Sequence, residues 1–176
     1  MSIPPVIDFG KWVKENEHLL QPPVNNQQMY EPAGDFIVQV VGGPNVRHDF
    51  HVDPYEEWFY QVRGNMHVNL MVDGQARTVH INEGEVWLLP RNTPHSPQRP
   101  EPGSIGIVIE RIREEGTLEK FQWYCLDCSA LVHEVELQVR DLVKDMPPVF
   151  EAYYGDPENQ HCKKCGHINP GRPAKG

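Results

Sequence analysis

No apolar run in this chain approaches the roughly 20 residues that a bilayer-spanning helix needs, so no membrane partner is expected. There is no basic run of five or more residues either, and 16 Lys and Arg stand against 25 Asp and Glu, a formal charge of -9. That balance excludes the basic footprint of a nucleic-acid binder. The start, Met1-Ser2-Ile3-Pro4-Pro5, has neither the basic nor the apolar region of a secretion signal. A cytoplasmic location is therefore expected. Internal repeats are absent. Cysteine is scarce, with four in 176 residues; the even number alone would permit two disulfides, but the spacing argues otherwise. A chain of this length buries a core without one, as one domain or one domain plus a small appendage.

What is present is a set of short β-like runs broken by Gly, Pro and Asp. They are Phe36 to Val41, Glu57 to Val62, Met66 to Val72, Arg77 to Ile81, Val86 to Leu89 and Ile105 to Arg111. Asp73-Gly74 between two of them is a hairpin signal. Many short strands with regular turns predict a mainly β barrel or sandwich. An amphipathic helix is expected over residues 8–20, capped by Asp8, with Phe9, Trp12, Val13 and Leu20 near one face and Pro22-Pro23 as the stop. After Gly116 the texture changes. A strand is expected around Val135, Leu137 and Val139, and Pro147-Pro148 are expected to open a short helix carrying Phe150, Tyr153 and Tyr154. The tail from Asn169 is rich in Pro and Gly and is expected to fray. The division that follows is residues 1–116 as a barrel with its N-terminal helix, and residues 117–176 as a C-terminal extension packed on it.

Two constellations carry chemistry. His51, Glu57 and His95 lie in two stretches framed by Gly43 and Gly64, then by Gly84 and Pro90. Two imidazoles and a carboxylate suit iron, manganese, nickel or zinc and leave coordination positions open. Asp49 shares a strand face with His51 by period-two alternation and is a possible substitute ligand. His18, His48, His67, His80, His133, His161 and His167 lack such a frame and read as surface or locally hydrogen-bonded residues. Cys125-x-x-Cys128 and Cys162-x-x-Cys165 form two knuckles whose four thiolates suit tetrahedral iron or zinc. A redox disulfide pair is the weaker reading.

The Gly/Pro frame around His51, Glu57 and His95 resembles the paired motifs of the cupin superfamily, which implies a small β-barrel with inward-pointing ligands. The chain departs from the common pattern at Asp49, where many cupins have His, and at Arg99, where many have Asn. A buried lone Arg is costly, so Arg99 points to an anionic ligand. The resemblance extends further, to the 3-hydroxyanthranilate 3,4-dioxygenase family. It is carried by Val40-Val41-Gly42-Gly43-Pro44-Asn45-x-Arg47-x-Asp49-Phe50-His51, Glu56-Glu57-Trp58-Phe59-Tyr60-Gln61, Leu88-Leu89-Pro90, Pro94-His95-Ser96-Pro97-Gln98-Arg99, and Gly106-Ile107-Val108-Ile109-Glu110. Leu19-Leu20-x-Pro22-Pro23-Val24-x-Asn26 and Trp123-Tyr124-Cys125 extend it over nearly the whole chain.

That resemblance implies Fe(II) at His51, Glu57 and His95, with O2 as cosubstrate and 3-hydroxyanthranilate as substrate. The implied product is 2-amino-3-carboxymuconate 6-semialdehyde, which cyclises without enzyme to quinolinate in kynurenine metabolism. It also implies a homodimer and a rubredoxin-like site at the four cysteines, holding Fe or Zn. The substrate carboxylate needs a cationic partner. Arg99 is read as its main anchor, and Arg47 as an aid to binding that stabilises charge developing on the added oxygen. Glu110 is read as a substrate-side hydrogen-bonding group or proton acceptor, against the alternative of a salt bridge to Arg47, Arg99 or Arg111. Asp49 is read as orienting a His ligand or an Arg rather than as a fourth ligand. Asn26, on a polar loop, is a candidate for covering the site. Two rivals remain: a cupin oxygenase acting on a different aminophenol, and a non-catalytic metal- or ligand-binding cupin with a zinc-ribbon appendage. The two guanidinium groups of Arg47 and Arg99 argue against the second.

Overall fold

The computed structural model describes residues 3–22, 25–30, 34–140 and 142–172. Pro23 and Val24, named above as part of the helix stop and of the N-terminal motif, lie outside the described residues, as does the tail from 173. Eleven strands among the described residues form two antiparallel sheets that face one another. The first, five-stranded, runs β1 (Asn26–Gln28), β2 (Phe36–Gly42), β9 (Ile105–Arg111), β4 (Glu57–Arg63) and β7 (Val86–Leu89) in spatial order. The second, six-stranded, runs β11 (Leu131–Leu137), β10 (Glu119–Tyr124), β3 (Phe50–Val52), β8 (His95–Gln98), β5 (Met66–Val72) and β6 (Gln75–Ile81). This is the mainly β, two-sheet architecture expected from the sequence. Among the described residues no helix is long and apolar enough to cross a membrane.

Strand alternation builds the barrel core. Phe59, Met66, Val68, Leu70, Ile81, Leu89 and Val108 are all buried in one cluster drawn from both sheets. The β5–β6 hairpin turns at Asp73-Gly74, both with positive φ (52° and 73°). That is the backbone a two-residue type I′ turn demands and the reason Gly belongs there. The helix α1 (Phe9–Asn16) starts where Asp8 accepts a hydrogen bond from the Lys11 backbone N–H at 3.0 Å. It is shorter than the expected 8–20, because residues Glu17–Leu19 tighten into a 3-10 turn. Leu20 then buries against Val40 and Ile105, with Trp12 and Val13 packed alongside.

Two features beyond Gly116 differ from expectation. Strand β10 follows the composition shift, yet it pairs with β3 and so continues the sheet that carries His51. Helix α2 (Leu142–Tyr154) begins five residues before Pro147, and both prolines sit inside it instead of opening it. The prolines lack two backbone donors, but the helix buries Val149 and Tyr153 against Trp123, with Tyr153 and Trp123 rings stacked at 4.4 Å. Packing of that apolar face overrides the local helix-breaking preference.

Candidate metal centre and acid pocket

The register of the two sheets places the first constellation. On the six-stranded sheet, Leu70, His95, His51 and Phe121 are direct cross-strand partners in one row. On the five-stranded sheet, Leu89, Glu57, Glu110 and Ile37 form another. Directly opposed residues share a face. The burial of Leu70 and Leu89 in the barrel core fixes both rows as inward-facing. Sequence separations of tens of residues thus collapse into two facing rungs. His51, Glu57 and His95 present ligand atoms within 4.8 Å of one another.

Each imidazole is oriented by what lies behind it. His95 Nδ1 is 2.9 Å from the Thr93 carbonyl oxygen. A carbonyl only accepts, so Nδ1 carries the hydrogen and the Nε2 lone pair faces Glu57. His51 Nε2 lies 2.6 Å from Glu119 Oε2, which turns Nδ1 toward Glu57. The His51 ring also stacks on Phe121 at 5.0 Å. Glu57 Oε1 is 2.9 Å from His95 Nε2 and 3.5 Å from His51 Nδ1. It is nonetheless buried without a hydrogen-bond partner. Three donor atoms converge on a shared point without bonding one another, which is the arrangement a metal ion fits. Burial opposes charge on His51, but the carboxylates of Glu119 and Glu57 outweigh it and hold the imidazole up at about 9. Burial would likewise raise the Glu57 carboxyl, yet His95 and His51, when protonated, hold it well below the usual carboxylate range.

Arg99 is 3% exposed, and among the described residues its Nε and Nη2 have no hydrogen-bond partner. Burial pushes its guanidinium down to about 10. Nη2 lies over Gly106, where an added Cβ would come within 2.8 Å of it. Gly106, Val108 and Glu110 alternate along β9 and share the inward face. The unpaired cation and the carboxylate row therefore occupy one barrel interior.

The other expected residues fall as follows. Arg47 is engaged by Asp49, its Nε donating to Oδ2 at 2.9 Å. Asp49 is 3% exposed and pairs with Arg47, so it orients an arginine. Glu110 accepts from Arg113 Nη1 at 2.7 Å, a partner the sequence reading did not name. Burial and the charge of Glu57 push its carboxyl up, against the pull of Arg113. Asn26 is an exposed residue of β1, paired in register with Val41. Its neighbour Asn25 is the buried one, donating to the Pro44 carbonyl. Arg113, Glu119 and Asp53 were missed altogether. One signal pointed to Glu119: it alternates with the apolar Phe121 and Trp123, so a carboxylate sits at an inward strand position.

The four cysteines also converge. Sγ atoms of Cys125 and Cys165, and of Cys128 and Cys162, are 3.6 Å apart. Four sulfurs each about 2.3 Å from one tetrahedral centre lie roughly 3.8 Å apart. All four thiols are free of disulfides. The two knuckles repeat one backbone pattern. Ser129 N–H donates to the Cys125 carbonyl, and Gly166 N–H to that of Cys162, both at 2.9 Å. Asn169 ties them to the fold, its side chain accepting from Leu126 N–H and donating to the Tyr124 carbonyl.

The model of a family described as 3-hydroxyanthranilic acid dioxygenase matches residues 1–154. A protein of Burkholderia cenocepacia named 3-hydroxyanthranilate 3,4-dioxygenase is 52% identical over 168 residues, covering 96% of this chain and 94% of its own. One of the same name from Shewanella woodyi is 46% identical over 177 residues, covering all of this chain and 93% of its own. Among solved structures, a cupin-2 domain protein of Shewanella frigidimarina aligns with a TM-score of 0.48 at 18% identity, covering 61% of this chain and 95% of that one.

Proposed function

The chain belongs to the 3-hydroxyanthranilic acid dioxygenase family, and from that premise we propose that it cleaves the ring of 3-hydroxyanthranilate with O2, using Fe(II) held by His51, Glu57 and His95. The product is 2-amino-3-carboxymuconate 6-semialdehyde. The observation that supports this most is the buried guanidinium of Arg99 with two unpartnered donors. An unpaired buried charge is costly, and a planar carboxylate is the ligand its fork matches. Ferrous iron held by His51, Glu57 and His95 would supply the redox and Lewis-acid chemistry that ring cleavage with O2 requires. The protein's own side chains do the rest. Arg99 anchors the carboxylate and so fixes which ring edge meets the metal end. Arg47, held by Asp49, adds positive charge where negative charge develops on oxygen. Glu110, on the metal-side row, accepts a proton or hydrogen bond from the substrate. Apolar Phe59, Leu70 and Val108 keep water from the pocket interior.

The decisive test is anaerobic loading with Fe(II), addition of 3-hydroxyanthranilate, then air. Oxygen uptake matched by a new absorbance band of the muconate semialdehyde is expected. An iron-loaded protein that takes up no oxygen overturns the reading. A finer check uses Gly106→Ala. The added Cβ would sit 2.7 Å from Gln61 Oε1 and 2.8 Å from Arg99 Nη2, both ends of flexible side chains. The barrel should fold, but with the guanidinium displaced. KM is expected to rise about tenfold or more with iron content unchanged, since a lost charge-assisted hydrogen bond is worth about 1.5–3 kcal/mol. An unchanged KM would remove Arg99 from the substrate site.

The four cysteines leave no open position once a metal is bound, so their site is assigned a structural role, with Fe or Zn as occupant.

A further inference from the structure

Arg113 lies just beyond β9, and its side chain is 9% exposed. It meets three carboxylates. Nη2 is 2.7 Å from Asp53 Oδ2, Nη1 is 2.7 Å from Glu110 Oε2, and Nε is 2.9 Å from Glu119 Oε1. Asp53 follows β3, Glu110 ends the inward row of β9, and Glu119 opens β10. One guanidinium therefore ties together three strands drawn from both sheets at one end of the barrel. Neither Arg113 nor Glu119 is among the three residues placed at the metal. Yet Glu119 uses its other oxygen, Oε2, to hold His51 Nε2 at 2.6 Å.

We propose that Arg113 is a positioning residue: it fixes Glu119, which through His51 Nε2 aims His51 Nδ1 at the metal, and the same guanidinium fixes Glu110 at the substrate end of the site. The chain of contacts is directional. Arg113 grips both Glu119 oxygens, Nε on Oε1 at 2.9 Å and Nη2 on Oε2 at 3.2 Å, and so fixes Oε2 where it meets His51 Nε2. The His51 ring is then pinned on one side by that hydrogen bond and on its face by Phe121. Glu119 without Arg113 would be a buried carboxylate with a single partner, free to rotate away from His51. Carboxylates behind a ligating histidine hold its ring and tautomer, and losing one costs about 10–100-fold in metal affinity. The inference rests on His51 as a metal ligand and is independent of which substrate the enzyme takes.

The test is metal affinity, read without turnover. Metal-free full-length protein is titrated with Co(II). The thiolate charge-transfer band reports the cysteine site, and the ligand-field bands of a nitrogen- and oxygen-ligated ion report the histidine site. Glu119→Leu is expected to weaken Co(II) at the histidine site about 10–100-fold with the cysteine site unchanged. Glu119→Gln keeps an oxygen for His51 Nε2 and should stay within about threefold of the unmodified protein, a rescue that a mere packing role would not show. Arg113→Met is expected to fall about tenfold. Should Arg113→Met fail to fold, the Glu119 pair carries the test. A folded Glu119→Leu with unaltered Co(II) affinity overturns the proposal, as does Glu119→Gln losing as much as Glu119→Leu. In parallel, His51→Ala with unchanged ligand-field bands would show instead that the metal assignment itself is wrong.

Discussion

Arg99→Met should raise the melting temperature of the substrate-free protein while abolishing its affinity for the aromatic acid. Burial lowers the Arg99 guanidinium from its ordinary value to about 10. The folded state therefore binds this proton less readily than the unfolded chain. The sign follows: between about 10 and the ordinary arginine value stability rises with pH, and below about 10 the whole cost is present. A depression of that size corresponds to about 3 kcal/mol. Met fills much of the same volume without charge, and replacing a buried ion by an apolar side chain is neutral or stabilising in such settings. For a chain of this length about 3 kcal/mol is worth roughly 5–10 °C. The same substitution removes the carboxylate partner, so kcat/KM should fall by about a thousandfold or more with iron content intact. The unmodified protein should recover the lost stability when the ligand binds, its melting point climbing with 3-hydroxyanthranilate under anaerobic conditions. Arg99→Met should show no such climb. A variant that is destabilised, or that still responds to the acid, would identify Arg99 as a structural ion and not a binding one.

The ease with which parts of this site were read from sequence follows from how local their determinants are. His51, Glu57 and His95 sit in short runs whose Gly and Pro punctuation is visible over a few residues, and period-two alternation sends each inward. The Asp73-Gly74 turn is equally local. Arg99 was legible as an anomaly, an arginine where many cupins have Asn. Arg113 was not, because Arg113-Glu114-Glu115-Gly116 looks like a solvated charged turn. Its burial arises only when β10 docks on β3, and that pairing links residues 68 apart in the His51–Glu119 contact. The same docking hides the continuity of the sheet past Gly116. Composition changes there, but the barrel does not stop. The early start of α2 was illegible for a related reason. The helix is held by Val149 and Tyr153 packing on Trp123, a tertiary gain no local rule about proline includes.

The two metal centres should separate cleanly under mutation. His95→Ala is expected to abolish oxygen uptake by emptying the histidine site while the cysteine site keeps its metal. His95 is 2% exposed, its Nδ1 held by the Thr93 carbonyl and its Nε2 facing Glu57, and alanine offers no ligand atom in that place. Cys162→Ser should do the reverse. Cys162 is 1% exposed, and its knuckle is tied through His167 and Asn169 to the end of β10 and to Tyr153. Losing that metal frees the two knuckles from each other and removes folding energy that a closed thiolate site contributes. A drop in melting temperature of about 10 °C or more is expected, from a loss of several kcal/mol. Ring cleavage should persist at temperatures where the barrel stays folded, because His51 keeps its row on β3 between β8 and β10. Elemental analysis and oxygen uptake on both variants read the four outcomes directly. Turnover retained in His95→Ala would refute the ligand assignment. Turnover lost in a folded, iron-loaded Cys162→Ser would instead make the cysteine site part of the catalytic machinery, acting along β10 through Phe121 and Glu119 on His51.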